Sequence, residues 1–196
     1  MLEPLGIALH ALDLGRVQPG MTVGIFGCGP IGLLLIQLVR AAGATRIIAT
    51  DKLNHRLGLA KAFGATAAIL AYDNQEREEV WAATDRNGID VAFEAAGEND
   101  AVEAAILATR PGRHVILIGI PGGDRTKFTA SIARRKGLTI KLVRRMKYTY
   151  ARALYLVQKD LINVRSLVTH RYPLSEFDKA FTAARKREGI KVIIEP

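Results

Sequence analysis

With a single cysteine, Cys28, in 196 residues, the chain can form no internal disulfide and no multi-thiolate metal site. That scarcity suits a reducing compartment, and a cytoplasmic protein is expected. No run approaches the ~20 apolar residues that cross a bilayer, so no membrane span is expected. Met1 to Leu14 is apolar but carries Glu3, Pro4 and Asp13 and lacks a basic leader, which makes it a poor signal peptide. His10, His55, His114 and His170 are too scattered for a catalytic metal, which needs three ligands converging on one point. His114 reads as structural at the head of a buried strand, and His10 and His55 as helix-surface residues. Aromatics are scarce (6%) while 49% of the chain is hydrophobic, the profile of a packed α/β protein rather than a disordered one. Acidic residues are also outnumbered, 19 against 28 Lys and Arg, for a net charge of +9. The basic clusters Arg134-Arg135-Lys136, Arg144-Arg145-Met146-Lys147 and Arg185-Lys186-Arg187 come with no recognition helix or interleaved aromatics. Nucleic acid is therefore not expected as a partner; solvated faces and attraction for an anionic cofactor account for the charge.

Against these absences stands one informative stretch, Val23-Gly24-Ile25-Phe26-Gly27-Cys28-Gly29-Pro30-Ile31-Gly32. It predicts a short apolar strand, a G-x-G-x-x-G turn and an apolar-periodic helix to about Ala42. A second strand, Ile47 to Thr50, ends at Asp51, close to the spacing of a dinucleotide-binding fingerprint. Gly27 would make the tight turn, Gly29 would let the backbone approach a pyrophosphate, and Gly32 would let helix and strand pack closely. The amides at the helix start would face the phosphates, with the helix dipole favouring their charge. A carboxylate at Asp51 would bind the 2′-hydroxyl of the adenosine ribose and repel a 2′-phosphate, which favours NAD over NADP. Lys52 and Arg56 would soften that preference.

The rest alternates in the same manner. A first helix spans about Pro4 to Leu14, with Gly15 as its C-cap, and the fingerprint helix buries Ile31, Leu34, Leu35 and Leu38. A third helix is closed by Gly64, a strand covers Ala67–Leu70, and Asp73 with Glu76 resembles a capping box for a helix carrying Val80 and Trp81. The strand Ile89–Phe93 leads into Glu94-Ala95-Ala96-Gly97. A helix then ends at Pro111-Gly112, and the strands His114–Ile118 and Leu138–Val143 follow, with a last long helix from about Thr149 to Lys159. The expected architecture is α/β, a Rossmann-type doubly wound parallel sheet with helices on both faces. Its site should lie at the carboxyl ends of the strands, where Asp51, Ala95, Gly97, Gly119 and Arg144-Arg145 fall. The tail breaks the rhythm with a strand at Leu167–Tyr172, a helix containing Phe177 and Phe181, and a final strand at Lys191–Ile194.

Several runs together resemble the zinc-type medium-chain dehydrogenases, closest to the polyol branch that includes sorbitol dehydrogenase. They are Glu3-Pro4-Leu5…His10, Phe26-Gly27-Cys28-Gly29-Pro30-Ile31-Gly32, Asp51…Arg56, Leu59-Ala60-Lys61…Gly64-Ala65, Asp90-Val91…Glu94…Gly97 and Val168-Thr169-His170-Arg171-Tyr172-Pro173-Leu174…Phe177…Ala180-Phe181. The resemblance covers nearly all of this chain but only the second half of such an enzyme. It implies an NAD-binding half, inactive alone, of a zinc-dependent alcohol or polyol dehydrogenase, with zinc held only in the full-length enzyme and most ligands on a missing N-terminal catalytic domain. Residues 1–15 would be a helix crossing from that domain, 16–165 the NAD-binding domain, and 166–196 a segment returning to it. Pro30 and Ile31 would adjoin the cofactor at the turn, and Arg56 would flank the ribose and adenine. Ile118, Gly119 and Ile120 would lie along the nicotinamide, Arg144 and Arg145 between cofactor and substrate, and Glu3 beside zinc and substrate. The family's Tyr and Asn after that arginine are replaced by Met146 and Tyr148, and an expected Pro by Ala151, so the substrate alcohol is not assigned. Edge-to-edge pairing through Leu138–Val143 would make a homodimer. A free-standing NAD-binding regulatory module would carry the same motifs. A methyltransferase loop, G-x-G-x-G, would not match.

Overall fold

The computed structural model describes residues 1–72 and 76–196. Six parallel strands form one sheet: β1 (Thr22–Phe26), β2 (Arg46–Asp51), β3 (Ala67–Leu70), β4 (Ile89–Glu94), β5 (Thr109–Leu117) and β6 (Thr139–Leu142). Their order is β3-β2-β1-β4-β5-β6, so the chain reverses its direction of travel between β1 and β4. β1 and β4 are buried on both faces, as a parallel sheet covered by helices requires. The doubly wound α/β architecture expected from the alternation is present. The proposed capping residue Asp73 lies outside the described residues.

One apolar core lies between the sheet and α1 (Leu2–Gly15), α2 (Pro30–Ala41) and α3 (Asn54–Phe63), and includes Leu5, Leu9, Leu34, Ile25 and Phe93. The opposite core joins the sheet to α4 (Glu76–Ala83) and α5 (Asn99–Ala108) through Val80, Val102, Ile106 and Phe26. Burial on α2 extends beyond the expected stripe to every residue from Leu33 to Val39, with Ile31 only half-buried. The one polar member, Gln37, is satisfied there. Its amide nitrogen donates to the Asn163 carbonyl (3.1 Å) and its oxygen accepts the Asn163 N–H (2.7 Å).

Three local expectations are corrected. The left-handed C-cap of α1 is Arg16 (φ 51°), not Gly15. Gly15 is small because a β-carbon there would lie 2.7 Å from the Phe93 ring. The helix α5 stops at Ala108, and Pro111-Gly112 lies inside β5, where the register with β4 shifts. A proline has no ladder N–H to donate, so it fits such an irregularity. His10 is half-buried rather than on a helix surface, with Nδ1 3.0 Å from the Arg145 carbonyl oxygen.

A short helix that the sequence pattern does not announce, α6 (Ala130–Arg135), is tied down by the residue after it. Lys136 Nζ donates to the carbonyls of Ile106 (3.1 Å), Leu107 (2.6 Å) and Thr109 (2.8 Å), closing the end of α5. Burial lowers the Lys136 pKa, so desolvation offsets part of what these bonds contribute. Lys136→Met should cost about 1–2 kcal/mol, read as a lower urea midpoint at unchanged slope.

After β6 come α7 (Tyr150–Gln158), then β7 (Val168–Pro173), a 3-10 turn (Leu174–Glu176), α8 (Phe177–Arg185) and β8 (Lys191–Glu195). β7 and β8 pair in a separate two-stranded sheet. Among the described residues, no helix is long and apolar enough to cross a membrane.

Candidate functional site

At the carboxyl ends of β1, β2 and β4 a cleft of about 470 Å3 opens. This is the switch point where doubly wound sheets bind ligands. Its floor is the turn from β1 to α2. Gly27 leaves the strand at φ 102°, and a β-carbon there would lie 2.7 Å from the Ala96 amide nitrogen. Gly32 sits directly under the Gly27 carbonyl, with no room for a side chain. Both are required by the protein's own packing.

Gly29 differs. Its backbone (φ −69°, ψ −171°) suits any residue, and the nearest atom to a β-carbon would be Arg56 Nη1, at 3.8 Å. No atom of the described residues needs that space; it belongs to the cleft. Pro30 follows as the first helical residue, where its missing N–H costs nothing, and Leu33 makes its first-turn bond to the Gly29 carbonyl (2.9 Å). The helix start aims its partial positive charge at this opening.

Asp51, at the end of β2, is buried and shapes the turn. Oδ2 accepts the Cys28 N–H (2.7 Å) and Oδ1 the Leu53 N–H (2.9 Å). Arg56 Nη1 stands 3.7 Å from Asp51 Oδ2, and Arg56 Nε is buried with no hydrogen-bond partner among the described residues. A spare buried donor beside an open glycine cradle fits an anionic ligand. Cys28 lies below, its thiol pushed up to about 12 by burial and then by Asp51, against the opposing pull of Arg56. That thiol is inert filler at neutral pH.

Residues 30–159 match the family described as zinc-binding dehydrogenase. The chain belongs to the zinc-binding dehydrogenase family. It is 34% identical over 196 residues to an L-threonine 3-dehydrogenase of Bacillus velezensis, covering 99% of this chain and 56% of that protein. It is likewise 34% identical over 200 residues to the sorbitol dehydrogenase of Ovis aries, with 100% and 55% covered. A zinc-binding dehydrogenase of Sinorhizobium meliloti, solved bound to NADP, superposes with a TM-score of 0.88 at 29% identity, covering 100% of this chain and 58% of that one. The chain thus spans about half the length of the relatives it matches.

Within this chain, the residues singled out from the sequence divide into groups. Gly27, Gly29, Pro30, Asp51, Arg56 and Ala95 line the cleft together. Gly32 lies beneath it, and Ile31 packs against the core side of the turn. Gly119 abuts Gly97, and Gly97 the Ile120 backbone, so closely that neither could carry a side chain, which draws the loops after β4 and β5 together. Glu94 anchors that junction, its Oε1 accepting the amides of Ala96 (2.8 Å) and Gly97 (2.6 Å). Burial raises the Glu94 pKa, although these backbone bonds pull the other way. Ile118 is buried and Ile120 exposed.

Glu3, Arg144 and Arg145 are exposed and do not line the cleft. Arg145 is held near α1 through the bond from His10, and Met146 and Thr149 pack on Gly6, one helical turn from Glu3. Glu76, Glu98, Asp100 and Arg187 also line the cleft and are not expected as site residues from the sequence, where Glu76 reads as part of a capping box and Arg187 as part of a solvated basic cluster. They come from α4, the start of α5 and the turn after α8, and no local spacing connects them to the glycines. Among the described residues, no three His, Cys, Asp or Glu groups gather as a metal site requires.

Proposed function

We propose that this chain is the NAD-binding part of a zinc-dependent alcohol or polyol dehydrogenase. The observation that carries the reading is Gly29, whose side-chain space is empty of protein and faces the helix start and Arg56. A dinucleotide pyrophosphate would occupy that space, with Arg56 and the first amides of α2 opposite its charge. Asp51 keeps lone pairs beyond its two backbone bonds and would accept from the adenosine ribose hydroxyls. Ala95, Gly97, Ile118, Gly119 and Ile120 would flank the nicotinamide end, and Arg145 and Glu3 the substrate side. Bound there, NAD would supply the hydride acceptor for an alcohol carbon. The chain's own contribution is to bind and orient it.

Among the described residues the donor set does not fit a catalytic zinc, which needs three converging protein ligands. The relatives' greater length supports ligands supplied by residues outside this chain. The exposed Leu174, Phe177 and Phe181 support a further domain adjoining residues 166–196, with 1–15 as its connection to the NAD-binding domain of 16–165. β6 is a sheet-edge strand with exposed Leu142, which supports a homodimer by edge pairing.

Titration of the chain with NADH, followed by cofactor fluorescence, should saturate, and more tightly than with NADPH. The same chain with added zinc and NAD+ should not oxidise sorbitol. Absence of saturable NADH binding would overturn the cofactor reading; zinc-dependent turnover would overturn the assignment of the metal ligands elsewhere.

A further inference from the structure

The rim of the cleft carries an ionic arrangement that the glycine turn does not explain. Lys52, the residue after Asp51, bonds Glu98 Oε2 through Nζ. Arg187, in the turn after α8, places Nη1 4.0 Å from Glu98 Oε1. One carboxylate thus engages two cations brought from β2 and from the tail. Glu98 precedes α5 but makes no side-chain cap bond, so the helix does not need its carboxylate. The Lys52 ammonium is held charged first by Glu98, with Asp100 and Glu76 adding to the same effect.

The charge around the cleft is therefore opposite to that of the whole chain. Among the described residues of its lining, Asp51, Glu76, Glu98 and Asp100 outnumber Lys52, Arg56 and Arg187, although the protein carries a net charge of +9. A surface bridge of this kind stabilises the fold little. Its effect on a ligand is larger, because it occupies the donors a phosphate would need and adds a like charge beside them.

We propose that Glu98 is a specificity-determining residue, which disfavours NADP by occupying Lys52 and Arg187 where a 2′-phosphate would recruit them. The inference rests on the dinucleotide reading of the cleft. NAD brings only a hydroxyl to that position and needs neither cation. A 2′-phosphate brings up to two charges and must break both ion pairs or remain beside Glu98. Discrimination is then shared between Asp51, which the fingerprint specifies, and Glu98, which reaches the rim from another strand's loop.

The test is calorimetric titration of the chain with NADH and NADPH. Glu98→Gln should tighten NADPH binding about tenfold and leave NADH within about threefold. Adding Arg187→Ala to that variant should remove most of the gain. Glu188→Gln, the same charge removed outside the cleft, should change neither cofactor. An unchanged NADPH-to-NADH ratio in Glu98→Gln, with NADH still bound, would overturn this inference alone. A wild-type chain that binds no NADH would overturn the cofactor reading and this inference with it.

Discussion

Gly29→Ala should weaken NADH binding by about 10–100-fold while leaving the protein close to wild type in stability. The added methyl enters cleft space that the pyrophosphate would use, and a misfit of this size costs about 1–3 kcal/mol. No atom of the described residues opposes it, since the nearest, Arg56 Nη1, is 3.8 Å away. The backbone angles at Gly29 suit alanine. Restricting the unfolded chain should add about 0.4–1 kcal/mol of stability, roughly offset by the poorer fit of alanine as the N-cap of α2. Gly32→Ala provides the contrast, because its methyl would be driven into the Gly27 carbonyl. It should cost about 3 kcal/mol or more and lose binding through misfolding of the turn. Urea denaturation together with NADH titration separates the two. If Gly29→Ala bound NADH like wild type, the turn would not be the pyrophosphate cradle.

Asp51→Ala should be costly in both respects. Removing the carboxylate leaves the buried Cys28 N–H without its 2.7 Å acceptor and frees the Leu53 N–H. A buried donor left unsatisfied costs about 1–3 kcal/mol, and the lower urea midpoint should report a loss in that range. The lost bonds to the ribose hydroxyls should weaken NADH by on the order of 100-fold. NADPH should lose less, since removing the carboxylate also removes a charge facing the 2′-phosphate. Equal losses for the two cofactors would argue that Asp51 acts only on the turn.

The glycine turn, Asp51 and the order of strands and helices were legible because each is written locally. Strand and helix periods show in consecutive residues, and G-x-G-x-x-G puts three geometric demands within six positions. Even there the reasons differed on inspection. Gly15 reads as a helix cap but is small because Phe93 lies against it, and Gln37 reads as polar yet is buried because Asn163 satisfies it. Neither partner lies near in sequence. The same limit hid Lys136, which makes sense only once the end of α5 is seen beneath its ammonium.

By itself, then, the sequence determined a doubly wound α/β chain with a dinucleotide fingerprint and the family it resembles, because backbone period and turn chemistry are short-range properties. Only the tertiary structure decided which charges meet at the rim. Lys52, Glu98 and Arg187 lie in three separate loops, after β2, before α5 and after α8. Their pairing exists because the strand order brings the ends of β2 and β4 to one crevice and folds the tail against it. Charge pairing acts through space, and no local pattern encodes it.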